Sequence, residues 1–294
     1  MILREEELKS LCQTATTAAL AAGEYIQSQF NKHYTKTHKA GGNSLASQVV
    51  TDIDVRAQEI ILKHLGNATQ NYDFGLLTEE TADDQSRGEK RYFWCIDPMD
   101  GTLPFTEKRT GYAVSISLIT NGGDPVIGVV YVPDLAACYT SIKGSGVWLN
   151  HRPYVREKAA NDTIHIFMDR SLQSEVYFDL VSNWLSEWAA THKTGIKYHS
   201  GFGAVRNALG AMTSGIGCYF KFPKQQKGGG SIWDFAATRL FFEELGLLVS
   251  NAQGKRLHLN NPKTTFMHEV GILYTTHTDL SDFIISVGQQ VGDR

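Results

Sequence analysis

The chain has 294 residues, 42% hydrophobic and 20% charged, long enough for one large domain or two halves sharing a core, with nothing of the composition of a disordered chain. A formal net charge of -3 and a pI near 6.4 supply no general basic field, which argues against nucleic-acid polymers and anionic membranes as partners and for a small ligand. Met1-Ile2-Leu3-Arg4-Glu5-Glu6-Glu7 lacks the basic start and apolar run of a signal peptide, and no later run reaches membrane-spanning length, so a soluble cytoplasmic protein is expected.

Apolar residues at Leu8, Leu11, Cys12, Ala15, Ala19, Ala22, Ile26 and Phe30 follow helical spacing and predict one long amphipathic helix from Glu5 to Phe30. The polar segment Asn31 to Gln48, with Gly41-Gly42, reads as a connection or a weak hairpin. Val49 to Asp54 leads into a second helix carried by Val55, Ile60, Ile61, Leu62 and Leu65. Thr51 and Asp54 have the spacing of a capping box, so capping alone would account for Asp54 unless it finds a partner elsewhere. Tyr72 to Leu77 reads as a strand ending in Thr78-Glu79-Glu80, a pair of acids that by itself describes a solvated turn.

The next strand, Tyr92 to Ile96, ends abruptly in Asp97-Pro98-Met99-Asp100-Gly101-Thr102. Two aspartates crowded at a buried strand end raise each other's pKa unless a cation lies between them. If Gly101 opens a helix, the N–H groups there form an anion site beside that cation, which points to phosphate chemistry. Strand-like runs follow at Tyr112 to Ile119, Val126 to Val132 and Ala136 to Ile142, with turns at Asn121-Gly122-Gly123-Asp124 and Pro133-Asp134, so this part is an antiparallel meander. The polar stretch His151 to Asp162 divides the chain into an expected N-terminal α+β half, 1-155, and a C-terminal half, 156-294, within one compact unit.

In the second half, strand Thr163 to Met168 precedes a helix bearing Val176, Leu180, Val181, Trp184, Leu185 and Trp188, whose tryptophans are core anchors. Gly203 opens a small-residue helix running to about Ser214, and a strand Gly217 to Phe222 leads into the loop Pro223 to Ser231. That loop is no phosphate-cradling P-loop, since its lysines precede the glycines. Ile232-Trp233-Asp234 starts a helix through Leu245, where Asp234 at the first turn also suits the helix dipole. Strands Leu247 to Ser250 and Gly271 to Thr275 and a final helix complete the chain. Cys12, Cys95, Cys138 and Cys218 sit singly in apolar surroundings and read as buried small hydrophobes, and His268-Glu269 lacks the second histidine of a zinc motif.

Glu79, Asp97, Asp100 and Asp234 are thus oxygen ligands at element ends without Cys or His beside them, which suits a hard cation, Mg²⁺ or Mn²⁺. Leu77-Thr78-Glu79-Glu80, then Trp94 to Thr102, then Ile232-Trp233-Asp234-Phe235-Ala236-Ala237 resemble the three ordered signatures of the inositol monophosphatase superfamily, and Val50 to Asp54 fits its upstream element. The resemblance runs from about residue 8 to 290. It implies an α+β fold, a five-layer αβαβα sandwich with mixed, largely antiparallel sheets like those of inositol monophosphatase and fructose-1,6-bisphosphatase. The implied activity is hydrolysis of a small phosphomonoester by metal-activated water, with two or three Mg²⁺ per site or Mn²⁺ in their place. Glu79, Asp97, Asp100, the Met99 carbonyl and Asp234 would hold metal, with Glu79 also serving catalysis. Thr102 paired with Asp54 would help activate the water, Gly101 and Thr102 would grip phosphate, and Glu80 would support the ligands from behind.

The chain departs from the pattern at Leu103-Pro104, which removes a backbone donor from the phosphate turn, at Gly203, where inositol-specific members tend to carry a small hydroxyl residue, and at Lys221, where they place an acceptor glutamate. Lys221, with Lys224 and Lys227, would favour a substrate with a second negative group, as in the 3'(2'),5'-bisphosphate nucleotidase branch, which acts on 3'-phosphoadenosine 5'-phosphate. A solvated loop accounts for these lysines equally well. The substrate expectation therefore spans inositol monophosphate and the nucleotide bisphosphate. A catalytically silent phosphate-binding or scaffold protein on the same fold is the alternative from another class. Family members are often homodimers.

Overall fold

In the computed structural model, residues 2–33, 36–38, 49–156 and 162–292 are described, so the expected connection over 31–48 and the boundary over 151–162 lie partly outside them. Helix α1 (Glu5–Gln29) buries Leu11, Cys12, Ala15, Ala18, Ala19, Ala22 and Ile26, the face its spacing predicts. Its small side chains allow close packing on α2 (Asp52–Asn71) and on the sheet beneath. Strand β1 (Lys36–His38) pairs antiparallel with β2 (Val49–Thr51), which leads directly into α2.

The larger sheet has seven strands in sequential order: β3 (Gly75–Thr78), β4 (Tyr92–Asp100), β5 (Ala113–Thr120), β6 (Pro125–Val132), β7 (Ala137–Ile142), β8 (Val147–Leu149) and β9 (Arg152–Pro153). Only β3 and β4 run parallel; the rest is the expected meander. The second sheet takes the order β11 (Gly195–Ser200), β10 (Thr163–Met168), β12 (Ile216–Lys221), β14 (Ile272–Thr275), β13 (Leu248–Ser250). There β10 is parallel to both neighbours and β14 antiparallel to both of its own.

The remaining helices are α3 (Ser86–Glu89), α4 (Thr102–Thr106), α5 (Phe178–Thr191), α6 (Ala204–Thr213), α7 (Ile232–Glu244) and α8 (Thr278–Gly292). One core, with Trp94, Phe105 and Tyr112, fills the space between the first sheet and α1 and α2. A second, with Phe93, Tyr219, Phe235 and Tyr274, puts α6 and α7 between the two sheets. A third seals the far face of the second sheet with α5 and α8. The result is a five-layer αβαβα sandwich. Each fully buried aromatic or aliphatic side chain in it contributes about 1.5–3 kcal/mol.

Two expected boundaries move for local reasons. Tyr72 and Phe74 do not join β3, because their N–H groups close the end of α2 on Ala68 O (3.1 Å) and Thr69 O (3.0 Å). Helix α5 begins at Phe178, leaving Val176 fully exposed ahead of it. All four cysteines are buried and unpaired, and burial pushes the Cys12 thiol up to about 11 and that of Cys138 to about 12. Among the described residues, no helix is long and apolar enough to cross a membrane.

Candidate active site

In a regular strand, residues three apart face opposite sides of the sheet. Asp97 pairs with Ser115 and Asp100 with Ala113, so three steps along β4 answer two along β5, and the register shifts between them. Pro98, which has no N–H to give, falls inside this irregularity. The extra residue lets both aspartates serve one site. Asp97 Oδ1 accepts from Met99 N at 3.0 Å, which tightens the bend.

The other acids arrive through neighbouring register. Thr78 of β3 pairs with Ile96 of β4, so the next residues in the two parallel strands are Glu79 and Asp97, and Glu79 N donates to Ile96 O at 3.1 Å. Ser115 Oγ donates to Trp233 O at 3.2 Å, tying the start of α7 to β5 opposite Asp97 and delivering Asp234. Carboxylate oxygens of Asp97, Asp100 and Asp234 all lie within 4.8 Å of one another. Burial, with the charge of Glu79 next in weight, raises Asp97 well above the usual carboxylate range. Burial and then Asp234 do the same to Asp100, against the pull of two backbone N–H groups, while burial lifts Asp234 to about 6. An all-oxygen set of crowded carboxylates, two buried and one half-buried, fits a hard divalent cation such as Mg²⁺ or Mn²⁺.

These shifts fix the sign of a pH effect. Carboxylates titrate near 4 in an unfolded chain, so between about 4 and 6 the metal-free folded protein holds protons that the unfolded chain has released. The stability this lends is fully present below about 4 and is lost as pH rises through the raised folded values. Thermal melting in a chelator should therefore move to lower temperature from pH 5 to pH 8, and added Mg²⁺ should restore more stability at pH 8 than at pH 5. A melting temperature in chelator that rises over this range would contradict the account.

Asp54 makes both of its expected contacts. Its Oδ2 accepts from Thr51 N (2.7 Å) and Thr51 Oγ1 (2.6 Å), completing the capping box of α2, while Oδ1 accepts from Thr102 Oγ1 at 2.8 Å. Burial pushes Asp54 up to about 6, against the pull of those hydrogen bonds. Thr102 Oγ1 also lies 3.1 Å from Met99 O, so one hydroxyl is within hydrogen-bond reach of both that carbonyl and Asp54. Gly101, at φ 88, precedes α4, and a Cβ there would meet Gly111 O at 2.6 Å, so only glycine fits the turn. Pro104 lies in the first turn of α4, where its missing N–H has no intrahelical partner to lose. Glu80 N donates to Gln58 Oε1 at 3.1 Å, anchoring the residue after Glu79 to α2.

Gly203 precedes α6, whose first N–H groups hold Asp100: Ala204 N to Oδ1 at 2.8 Å and Val205 N to Oδ2 at 2.9 Å. A Cβ at 203 would collide with that carboxylate. Gly203→Ala should therefore push Asp100 aside and weaken divalent-cation binding about tenfold or more, read by calorimetric titration; unchanged affinity would show that Asp100 has room. Lys221 lies apart from that contact. Its ammonium is 2.7 Å from Asp169 Oδ2 and rests over the Phe235 ring at 5.3 Å. Asp169 Oδ1 also accepts from Tyr219 Oη at 3.0 Å and Asn207 Nδ2 at 3.3 Å. The sequence reading missed Asp169, although it directly follows β10 just as Asp97 and Glu79 follow their apolar runs.

The family model for the inositol monophosphatase family matches residues 7–291. "Fructose-1,6-bisphosphatase/inositol-1-monophosphatase" of Aquifex aeolicus is 32% identical over 146 residues, 49% of this chain and 52% of that protein. "Putative Nus factor SuhB" of Neisseria meningitidis serogroup B is 26% identical over 254 residues, covering 82% of this chain and 87% of its own. The chain spans about half the length of several curated relatives it matches. A solved inositol monophosphatase from Anabaena superposes with a TM-score of 0.68 at 22% identity, covering 96% of each chain, and so shares the fold. With the family model matching nearly end to end, the chain belongs to the inositol monophosphatase family.

Proposed function

We propose that this protein is a phosphomonoesterase that uses Mg²⁺ or Mn²⁺ to cleave a small phosphorylated metabolite. The observation that carries the reading is the convergence of Asp97, Asp100 and Asp234 beside the Thr102–Asp54 pair at the opening of α4. Those three acids, with Glu79 and the Met99 carbonyl, would hold the cations, and Glu80 would steady Glu79 from behind. When bound, the cations neutralise phosphate charge and make a nearby water more acidic.

The chain's own groups do the rest. N–H groups of Gly101 and Thr102, ahead of the first intrahelical bond, grip phosphate oxygens. Thr102 Oγ1 directs its proton at Asp54 and offers a lone pair to the attacking water. The water oxygen bonds to phosphorus as the bond from phosphorus to the ester oxygen breaks. One water proton passes through Thr102 to Asp54, the other stays on the released phosphate, and the leaving alkoxide takes a proton from solvent.

On the leaving-group side, the Lys221–Asp169 pair presents a donor and an acceptor together. That suits the hydroxyls of a sugar or polyol, the class of substrate in the name of the Aquifex aeolicus relative. A second reading, a protein-binding role without turnover, is favoured by relatives named as Nus factors. Phosphate release from a panel of inositol, sugar and nucleotide phosphates, with Mg²⁺ or with chelator, separates the two. Turnover that chelator abolishes supports the first reading; no turnover on any ester supports the second.

A further inference from the structure

We propose that His165 and His199 form a binding site for a transition-metal ion of the Zn²⁺, Ni²⁺ or Cu²⁺ class, separate from the all-oxygen carboxylate centre. The two histidines are 34 positions apart, so no motif spacing marks them. The parallel pairing of β10 with β11 brings them together. His165 lies opposite Lys197 and Phe167 opposite His199, so all four side chains share one face of the sheet.

Across that face His165 Nδ1 and His199 Nε2 stand 3.0 Å apart. Two neighbouring nitrogens at about 2.0–2.1 Å from one ion are about 2.8–3.4 Å from each other, so this separation suits a shared metal. Imidazole suits Zn²⁺, Ni²⁺ and Cu²⁺, whereas the oxygens of Asp97, Asp100 and Asp234 suit Mg²⁺ or Mn²⁺. The two sites therefore draw on different ions.

The pair is both backed and accessible. The His199 ring lies face to face on Phe167, with centroids 4.5 Å and planes 10° apart. Phe167 in turn packs on the bare Cα of Gly210 in α6, which gives His199 a rigid support. Both histidines are only partly buried, so solvent can reach them and complete the coordination of an ion. Burial lowers both imidazoles, helped at His165 by the charge of Lys197 and at His199 by those of His165 and Lys197, and so favours the neutral form that binds metal.

In the metal-free protein one ring donates its N–H to the other across the gap, with their planes 12° apart. As an ion enters, that proton moves through solvent to the far nitrogen of the same ring, and the His165 ring pivots toward the ion. Both facing nitrogens then offer lone pairs, and no net proton is released. The exposed Lys197 ammonium opposes the incoming cation, and the Asp162 carboxylate just ahead of β10 offsets it.

The test is calorimetric titration with Ni²⁺ in excess Mg²⁺, with paramagnetic resonance of Cu²⁺ as a second readout. Wild type should bind Ni²⁺ at a site that His165→Gln and His199→Gln each weaken at least about tenfold, with Mg²⁺ affinity unchanged. Lys197→Gln should tighten Ni²⁺ binding severalfold, an effect that a misfolded variant cannot mimic. The Cu²⁺ signal of wild type should show coupling to two imidazole nitrogens, which the double variant His165→Gln, His199→Gln should lose. Ni²⁺ affinity unmoved by all three single substitutions, or a Cu²⁺ signal identical in wild type and the double variant, overturns the proposal. These readouts are of binding, so they stand or fall separately from phosphomonoester turnover.

Discussion

Replacing Asp97 by Asn should cut Mg²⁺-dependent phosphate release by about a thousandfold or more and, in chelator, raise the melting temperature. Both effects have one cause. Asp97 is 1% exposed and sits with Asp100 and the half-buried Asp234 inside 4.8 Å, so the metal-free protein confines mutually repelling carboxylates with little water to screen them. Removing one charge relieves the folded state, while the loss of one cation ligand removes several kcal/mol of charge stabilisation when phosphate reacts. The measurements are kcat/KM at saturating Mg²⁺ and thermal melting with chelator. Retained turnover, or a variant less stable than wild type in chelator, would mean that Asp97 is an ordinary hydrogen-bonded core residue.

The second large effect belongs to Thr102. Thr102→Val keeps the shape of the side chain and removes the hydroxyl of the proposed proton relay to Asp54, so kcat should fall about a hundredfold or more while the affinity for Mg²⁺ stays within about twofold. Wild-type activity should rise with pH through about 6, the value to which burial lifts Asp54, because the proton acceptor must be ionised. The valine variant should lose that limb of the profile. Asp54→Asn is the less clean probe, since it also weakens the capping box of α2 at a cost of about 1 kcal/mol. If Thr102→Val instead weakens Mg²⁺ binding in proportion to its loss of rate, the hydroxyl serves to place the Met99 carbonyl, 3.1 Å away, rather than to move a proton.

Much of the site was legible because its chemistry is local. Asp97-Pro98-Met99-Asp100-Gly101-Thr102 announces crowded acids at a buried strand end, and those residues do meet there. What spacing alone could not supply was the turn of both aspartates to one side, which depends on a register shift against β5, a strand met later in the chain. Asp54 shows why alternatives need not compete: one oxygen caps a helix and the other holds Thr102. Gly203 read as a missing hydroxyl, whereas its bare Cα makes room for the Asp100 carboxylate. Lys221 read as a free charge because Asp169 is 52 positions away in sequence, and an ion pair across the parallel β10 and β12 leaves no local pattern. The five layers followed from the family likeness more than from periodicity, since buried runs such as β4 carry no alternation to count.

The most direct test of the metal centre is anomalous scattering from crystals soaked in Mn²⁺ with inorganic phosphate. The account predicts a peak within about 2.0–2.4 Å of oxygens from Asp97, Asp100 and Asp234, with phosphate against the Gly101 and Thr102 N–H groups. Mn²⁺ bound elsewhere, or carboxylates that remain metal-free at saturating Mn²⁺, would contradict it.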